Sequence, residues 1–276
     1  MARAKWDEIG EHLYETGTDR GMVYPYDTVN KTYHGGVAWN GLTGYTESPS
    51  GAEETKLYAD NGKYLSLRSA EEFGYTITAY TYPDLVGELD GSATPVAGIR
   101  VYQQSRKSFG FCVRTLIGND TELNDHAYRL HLVYGSSMSP SERGYSTVND
   151  SPEAIEFSWE CSTVPVEVKD YKKTALLTID SDKVDSQKLK DFEDILYGTD
   201  GTDSYDAVTP VGTENPSEEN WYERSGSVGS YTYTLTTDTT VDNQKTYYAK
   251  TTTGGTEPRL PLPDEVIEFF GVTTGG

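Results

Sequence analysis

The stretch Ala154-Ile-Glu-Phe-Ser-Trp-Glu-Cys-Ser-Thr163 alternates cleanly: Ile155, Phe157, Trp159 and Cys161 fall on one side, Glu156, Ser158 and Glu160 on the other. A period of two belongs to a β-strand, and this version of it predicts one buried face and one that is wet or turned to a partner. The pattern recurs outward in both directions. Tyr75, Ile77 and Ala79 share a face in Tyr75–Tyr82, and Leu130, Leu132 and Tyr134 share one in Tyr128–Tyr134. Further strands are expected at Gly21–Tyr26, Val37–Leu42 and Ala175–Ile179. Leu57–Tyr58 and Tyr64–Leu67 read as strands around an Asp60-Asn61-Gly62 turn. Ile99–Gln104 and Ser108–Ile117 are expected to pair as a hairpin bent at Ser105-Arg-Lys107, and Pro49–Glu54 reads as a loop.

One helix interrupts this series. Asp185 is placed to cap it, Leu189, Phe192, Ile195 and Leu196 form its apolar stripe, and Gly198 is placed to end it. A shorter helix is expected over Pro263–Phe270, where proline and acids suit an N-terminus. Pro83-Asp84 reads only as the end of a strand, and the first thirty residues as an extended arm. Strands before a packed helix predict a sandwich or barrel with the helix against it.

The segment 206–255 is different. It is rich in Thr, Tyr, Ser and Gly and poor in Leu and Ile, and it holds seven acids against three bases. Tyr231–Thr236 and Lys245–Lys250 read as two strands of a hairpin. The segment is expected to be an inserted β module or a projecting loop, with a disordered insert as the alternative because so few aliphatic residues are available for a core. The main domain is then 1–205, continued by 256–276.

Composition bounds the partners. The 276 residues carry 23 Lys and Arg against 44 Asp and Glu, a net charge of −21, and such a surface does not attract a phosphate backbone. It serves solubility, or it serves a surface that must face DNA without holding it. Hydrophobic residues make up only 35%, and 22 Tyr and 4 Trp compensate, because Tyr buries a ring and keeps a polar tip. The start Met1-Ala-Arg-Ala-Lys-Trp lacks the apolar run of a signal peptide, and no stretch approaches the eighteen or so apolar residues of a membrane span. The sequons at Asn30, Asn119 and Asn149 are therefore read as chance matches.

No catalytic, cofactor or metal residues are assigned. His126 and His131 are five apart on a strand, which does not bring two imidazoles to one ion, and His12 and His34 stand alone. Cys112 and Cys161 lie in strand-like runs; a single bridge is open to them, and two buried free thiols are the preferred reading. Asp180-Ser-Asp182-Lys-Val-Asp185 resembles a calcium loop but lacks its Gly and terminal Glu, so helix capping is the preferred reading. Adjacent acids such as Glu53-Glu54, Glu71-Glu72 and Glu218-Glu219 read as solvated faces.

Several stretches, taken in order, resemble the major tail proteins of siphophages infecting Gram-positive bacteria. They are Lys5–Pro25 (KWDEIGEHLYETGTDRGMVYP), Val37–Leu42, Tyr64–Gly74, Ala79–Asp84, Phe109–Thr121, Tyr128–Gly135, Tyr145–Ile155, Leu189–Gly198 and Arg259–Val266. The likeness covers nearly all the chain except 206–255, which is similar to short Thr/Tyr-rich modules of other phage structural proteins. The resemblance implies a mainly β chain with a tail-tube-type sandwich or barrel, one flanking helix, long loops and an N-terminal arm. It implies a non-catalytic virion protein made in the bacterial cytoplasm, whose hexameric rings stack into a hollow tube. The implied partners are further copies of the chain, a tape measure protein, a tail terminator and distal tail proteins, with duplex DNA passing through the lumen without specific binding. On this view Glu156 and Glu160 are candidates for the lumen wall. A distal-tail or baseplate protein of the same fold is the alternative, and a carbohydrate- or receptor-binding β module a more distant one.

Overall fold

The computed structural model describes residues 6–145, 147, 154–228 and 230–271. Most of the Tyr145–Ile155 stretch and the Asn149 sequon lie outside the described residues. The chain is mainly β and divides into two compact units, Met1–Tyr197 with Glu257–Gly276, and Gly198–Thr256.

The first unit holds strands β1 Tyr14–Asp27, β2 Thr32–His34, β3 Val37–Trp39, β4 Leu42–Glu47, β5 Ser50–Gly51, β6 Glu54–Ala59, β7 Gly62–Arg68, β8 Glu71–Glu72, β9 Gly74–Ala79, β10 Ala93–Val96, β11 Ile99–Val101, β12 Phe109–Asn119, β13 Leu123–Met138, β14 Phe157–Thr163 and β15 Leu176–Asp180, with α1 Asp84–Leu89 and α2 Ser186–Tyr197 between them. The second unit holds β16 Thr202–Val208, β17 Tyr222–Ser227, β18 Ser230–Leu235 and β19 Tyr247–Thr253. The chain then returns to the first unit as β20 Arg259–Leu260 and α3 Pro263–Gly271.

One large sheet organises the first unit, in the order β20-β2-β1-β12-β13-β14-β9-β4, with β15 also on β13 and β3 on β1. Its centre is buried on both sides, so Phe109–Val113 is a continuous buried run rather than an alternating one. On one side Met22, Cys112, Leu130, Leu132 and Tyr134 share a core with Leu189, Phe192 and Leu196 of α2 and Val266 of α3. On the other side Val23, Phe111, Val113 and Val133 share a core with Tyr75, Ile77, Trp159 and Cys161 of β9 and β14. The sheet therefore folds back on itself, and Gly135 marks the fold. There β13 exchanges one partner, β15 along Arg129–Val133, for another, β14 along Ser136–Met138. Gly135 has φ +60°, and a Cβ on it would lie 2.1 Å from the Val164 carbonyl oxygen, so no side chain fits.

Several expectations change. Ile99–Val101 pairs with Ala93–Val96 instead of β12, because β12 is already taken on both sides by β1 and β13. The arm is shorter than expected: β1 begins at Tyr14, and bulges between Thr16 and Met22 break its alternation, which hides the strand from a period-two reading. Gly10 is tied to β12, its N–H donating to Asp120 Oδ1 at 2.9 Å and its carbonyl accepting from Asn119 Nδ2 at 3.2 Å. Pro83 stands at the N-cap position of a short helix, α1, that buries Val86 and Leu89, so three helices are present among the described residues where two were expected.

In the second unit Tyr231–Thr236 and Lys245–Lys250 do not pair with each other. Four strands run β16-β19-β17-β18. Tyrosines do the work of aliphatics: Tyr205 stacks on Tyr233 at 3.9 Å, and Tyr222 and Tyr248 pack edge-on against that pair. β16 begins at Thr202, and the unit opens at Gly198, ahead of the composition change at 206. Its two ends meet, Thr199 and Thr256 exchanging both backbone hydrogen bonds at 3.1 Å.

Candidate functional site

Two surfaces of the first unit are candidates for contact. The first is the outer face of β14, β9 and β4. Trp159 and Cys161 point inward, as the alternation predicts, and Glu160 points out. Register aligns Glu160 with Thr76 and Thr46, and Ser158 with Thr78 and Gly44. The Thr43 hydroxyl lies 2.8 Å from that of Thr78 and also donates to Glu156, just before β14. None of the three strands contains Lys or Arg. The face is a field of hydroxyls and carboxylates, able to stay hydrated and unable to pair with phosphate.

The second surface is the ribbon β6–β7, which continues the β4–β9 hairpin outward. Asp60 and Asn61, at φ +49° and +63°, make its turn, as Asp-Asn-Gly predicts. Cross-strand pairing puts Leu57 opposite Leu65 and Leu67 opposite Thr55 on one side. Glu54, Lys56, Lys63 and Ser66 lie on the other, where Glu54 accepts from Lys63 at 2.8 Å and from Ser66, and the lysine and serine hold its carboxyl below the usual carboxylate range. The leucine side is poorly covered: Leu57, Leu65 and Leu67 are 42%, 46% and 51% exposed. A two-stranded ribbon with an apolar side left this exposed gains little stability from its own side chains.

Sequence reasoning missed a third constellation, because its members are far apart in the chain. His131, 7% exposed, lies with Nδ1 3.0 Å from Glu47 Oε1 and Nε2 2.9 Å from Thr115 Oγ1. Burial pushes the imidazole pKa down, and Glu47 opposes that only partly. In the neutral ring Nδ1–H donates to Glu47 and the Thr115 hydroxyl donates to Nε2. Hydroxyl, imidazole and carboxylate in line have the order of a nucleophile relay. Here all three sit on paired strands, Thr115 mid-ladder on β12. The arrangement ties β4 to β12 and β13.

The remaining candidates separate. His126 meets Glu122 at 2.7 Å and His12 meets Asp120 at 3.3 Å. Cys112 and Cys161 are free and buried, one in each core, and burial raises both thiols, Cys161 to about 12. Asp180 pairs with Arg129, Asp182 with Lys183, and Asp185 Oδ1 accepts from the backbone N–H of Gln187 and Lys188 at 3.0 and 2.9 Å. Three different tasks disperse those carboxylates, and capping is the one Asp185 performs. Among the described residues no group of three or more His, Cys, Asp or Glu is placed to hold a metal ion, and no helix is long and apolar enough to cross a membrane.

Comparison with known proteins adds no family: no family model matches the chain, and no curated protein matches it.

Proposed function

We propose that this chain is a structural, self-assembling virion protein, the major tail tube protein of a long-tailed phage, and not an enzyme. The observation that carries the reading is the amphipathic ribbon β6–β7, whose leucine side is left about half exposed by the described residues. A protein that makes and keeps such a surface gains from a second copy that buries it. The cation-free outer face of β4, β9 and β14 supports the rest: in stacked hexameric rings it suits a lumen wall, with Glu156 and Glu160 facing DNA that slides with its own counterions. On this reading the protein works in the virion after assembly in the host cytoplasm, alongside a tape measure protein, a tail terminator and a distal tail protein.

The test is negative-stain microscopy of the purified chain together with an atomic map of any assembly. Rings or tubes with a net negative inner wall are expected; a lumen dominated by Lys and Arg would refute the wall assignment. A glycan- or receptor-binding module is the second reading, favoured by exposed Tyr231 and Leu235 on the tyrosine side of the second unit. A monomer that binds a glycan array through that unit would support it.

A further inference from the structure

A cavity of about 740 Å³ opens beside the residues that follow α1. Gly91, buried and at φ +85°, forms part of its lining. The Gln104 N–H donates to the Gly91 carbonyl at 2.9 Å, and a Cβ on Gly91 would lie 2.9 Å from the Gln104 carbonyl oxygen and 3.3 Å from Arg106 Cγ. Only glycine lets the loop 102–106 pass this closely. In that loop Gln103 stands at φ +65°, a left-handed conformation that such a residue holds only where its surroundings fix it. The pair Asp90–Arg143 makes another wall. Arg143 Nη2 donates to Asp90, Nη1 donates to the Tyr82 hydroxyl at 3.2 Å, and the guanidinium lies 5.3 Å over the Tyr82 ring.

This part of the chain departs from the charge of the whole. Residues 91–119 contain no Asp or Glu and four Arg or Lys, in a chain of net charge −21. Three of the four are neutralised from outside the segment: Arg100 by Asp84, Lys107 by Glu88 at 2.8 Å and Arg114 by Asp19 at 2.6 Å. The fourth, Arg106, lines the cavity and pairs with no carboxylate among the described residues. Asp90 lines it too, but its charge is already met by Arg143. Gln103 and Gln104 stand beside Arg106, and Tyr102 and Tyr145, 57% and 73% exposed, lie on the rim. Gln104 Nε2 donates to the Tyr102 carbonyl at 3.0 Å, which fixes that amide and leaves its oxygen to accept.

Planar polar side chains beside exposed tyrosine rings suit a sugar. Amides and a guanidinium bond neighbouring hydroxyls in pairs, and a tyrosine ring covers the C–H side of a pyranose while its own hydroxyl stays wet. The unpaired guanidinium adds a demand for one negative charge, which a carboxylate meets bidentately. A phosphate dianion would ask for a second free cation, and the cavity offers one. The geometry points to a binding site for an acidic oligosaccharide of the uronic-acid type, with a carboxylate on Arg106, hydroxyls on Gln103 and Gln104, and a pyranose ring against Tyr102. The site is made by the first unit of a single copy and does not rest on self-assembly.

The experiment titrates trigalacturonate into the full chain, followed by calorimetry and saturation-transfer NMR. Maltotriose, a neutral sugar of the same length, and inorganic phosphate are the parallel probes. Trigalacturonate is expected to bind about tenfold or more tightly than maltotriose, the scale of one hydrogen-bonded charge, and equimolar phosphate is expected not to displace it. Arg106→Gln should bring the two sugars level, and Tyr102→Ala should weaken both several-fold. Both side chains are exposed, and an unchanged circular dichroism spectrum confirms that each variant folds. Absence of saturation transfer from trigalacturonate at millimolar concentration would overturn the site. So would equal binding of the two sugars by the unmodified chain, or a preference for the acid that survives Arg106→Gln. Displacement by equimolar phosphate would reduce the attraction to charge alone and overturn the sugar assignment.

Discussion

The first unit contains two long antiparallel hairpins of opposite fate. β12–β13 lies at the centre of the large sheet, with its apolar side chains covered on one face by α2 and α3 and on the other by β9 and β14. β6–β7 has the same connectivity and a comparable leucine row, yet its residues are almost all exposed. Strand formation is local in both, set by alternation and turn chemistry. Stability is not: the first hairpin is stabilised by its own chain, and the second, on the proposed reading, is covered by another copy. Mutations that change the fold should therefore cluster in one hairpin and mutations that change association in the other.

The largest effect is expected at Leu132, fully buried against the helices. Leu132→Ala should lower unfolding free energy by about 2–5 kcal/mol, the range for a truncated core leucine, read by chemical denaturation. Gly135→Ala should follow closely. It forces an alanine into a left-handed conformation against the Val164 carbonyl, so a loss of roughly 1–3 kcal/mol is expected, and a neutral result would mean that β13 does not change partners there. Asp185→Ala removes the cap of α2 and should cost about 1 kcal/mol.

The pH dependence sharpens the contrast within the core. Burial lowers the folded pKa of His131 below 6.5, so the unfolded chain binds the extra proton first. Stability from this site is complete above 6.5 and declines as pH falls from there toward the lower folded value. A neutral His131→Gln variant should lose that decline, and melting curves across this window for both chains measure it. At the small end, Leu65→Ser in the exposed ribbon should change monomer stability by no more than about 0.5 kcal/mol while abolishing assembly. Removal of residues 200–255 should likewise leave the first unit folded and assembling, because Thr199 and Thr256 are already hydrogen-bonded neighbours.

What the sequence disclosed follows the same division. The Phe157–Cys161 alternation, the Asp60-Asn61-Gly62 turn and the Asp185 cap are local signals and are found where expected, although β14 begins at Phe157 and leaves Ile155 and Glu156 outside the strand. Only about half of β1 is legible in the sequence, because bulges shift its register. The pairing of β11 with β10 turned on competition for β12, a non-local fact. In the second unit four strands were present where two were read, since tyrosine stacking replaces the aliphatic signature of a core. The Thr115–His131–Glu47 contact joins three strands whose adjacency no spacing reveals. The uncovered ribbon was legible as strands, but its exposure was not, because the absence of a covering layer is a property of the whole fold.

The central claim is that this chain completes its structure with copies of itself. Sedimentation velocity of the purified protein over a range of concentrations, with negative-stain images of the same samples, tests it most directly. The account expects large species that image as rings or tubes and that collapse to monomers on Leu65→Ser. A folded monomer at all concentrations, unchanged by that substitution, would contradict it.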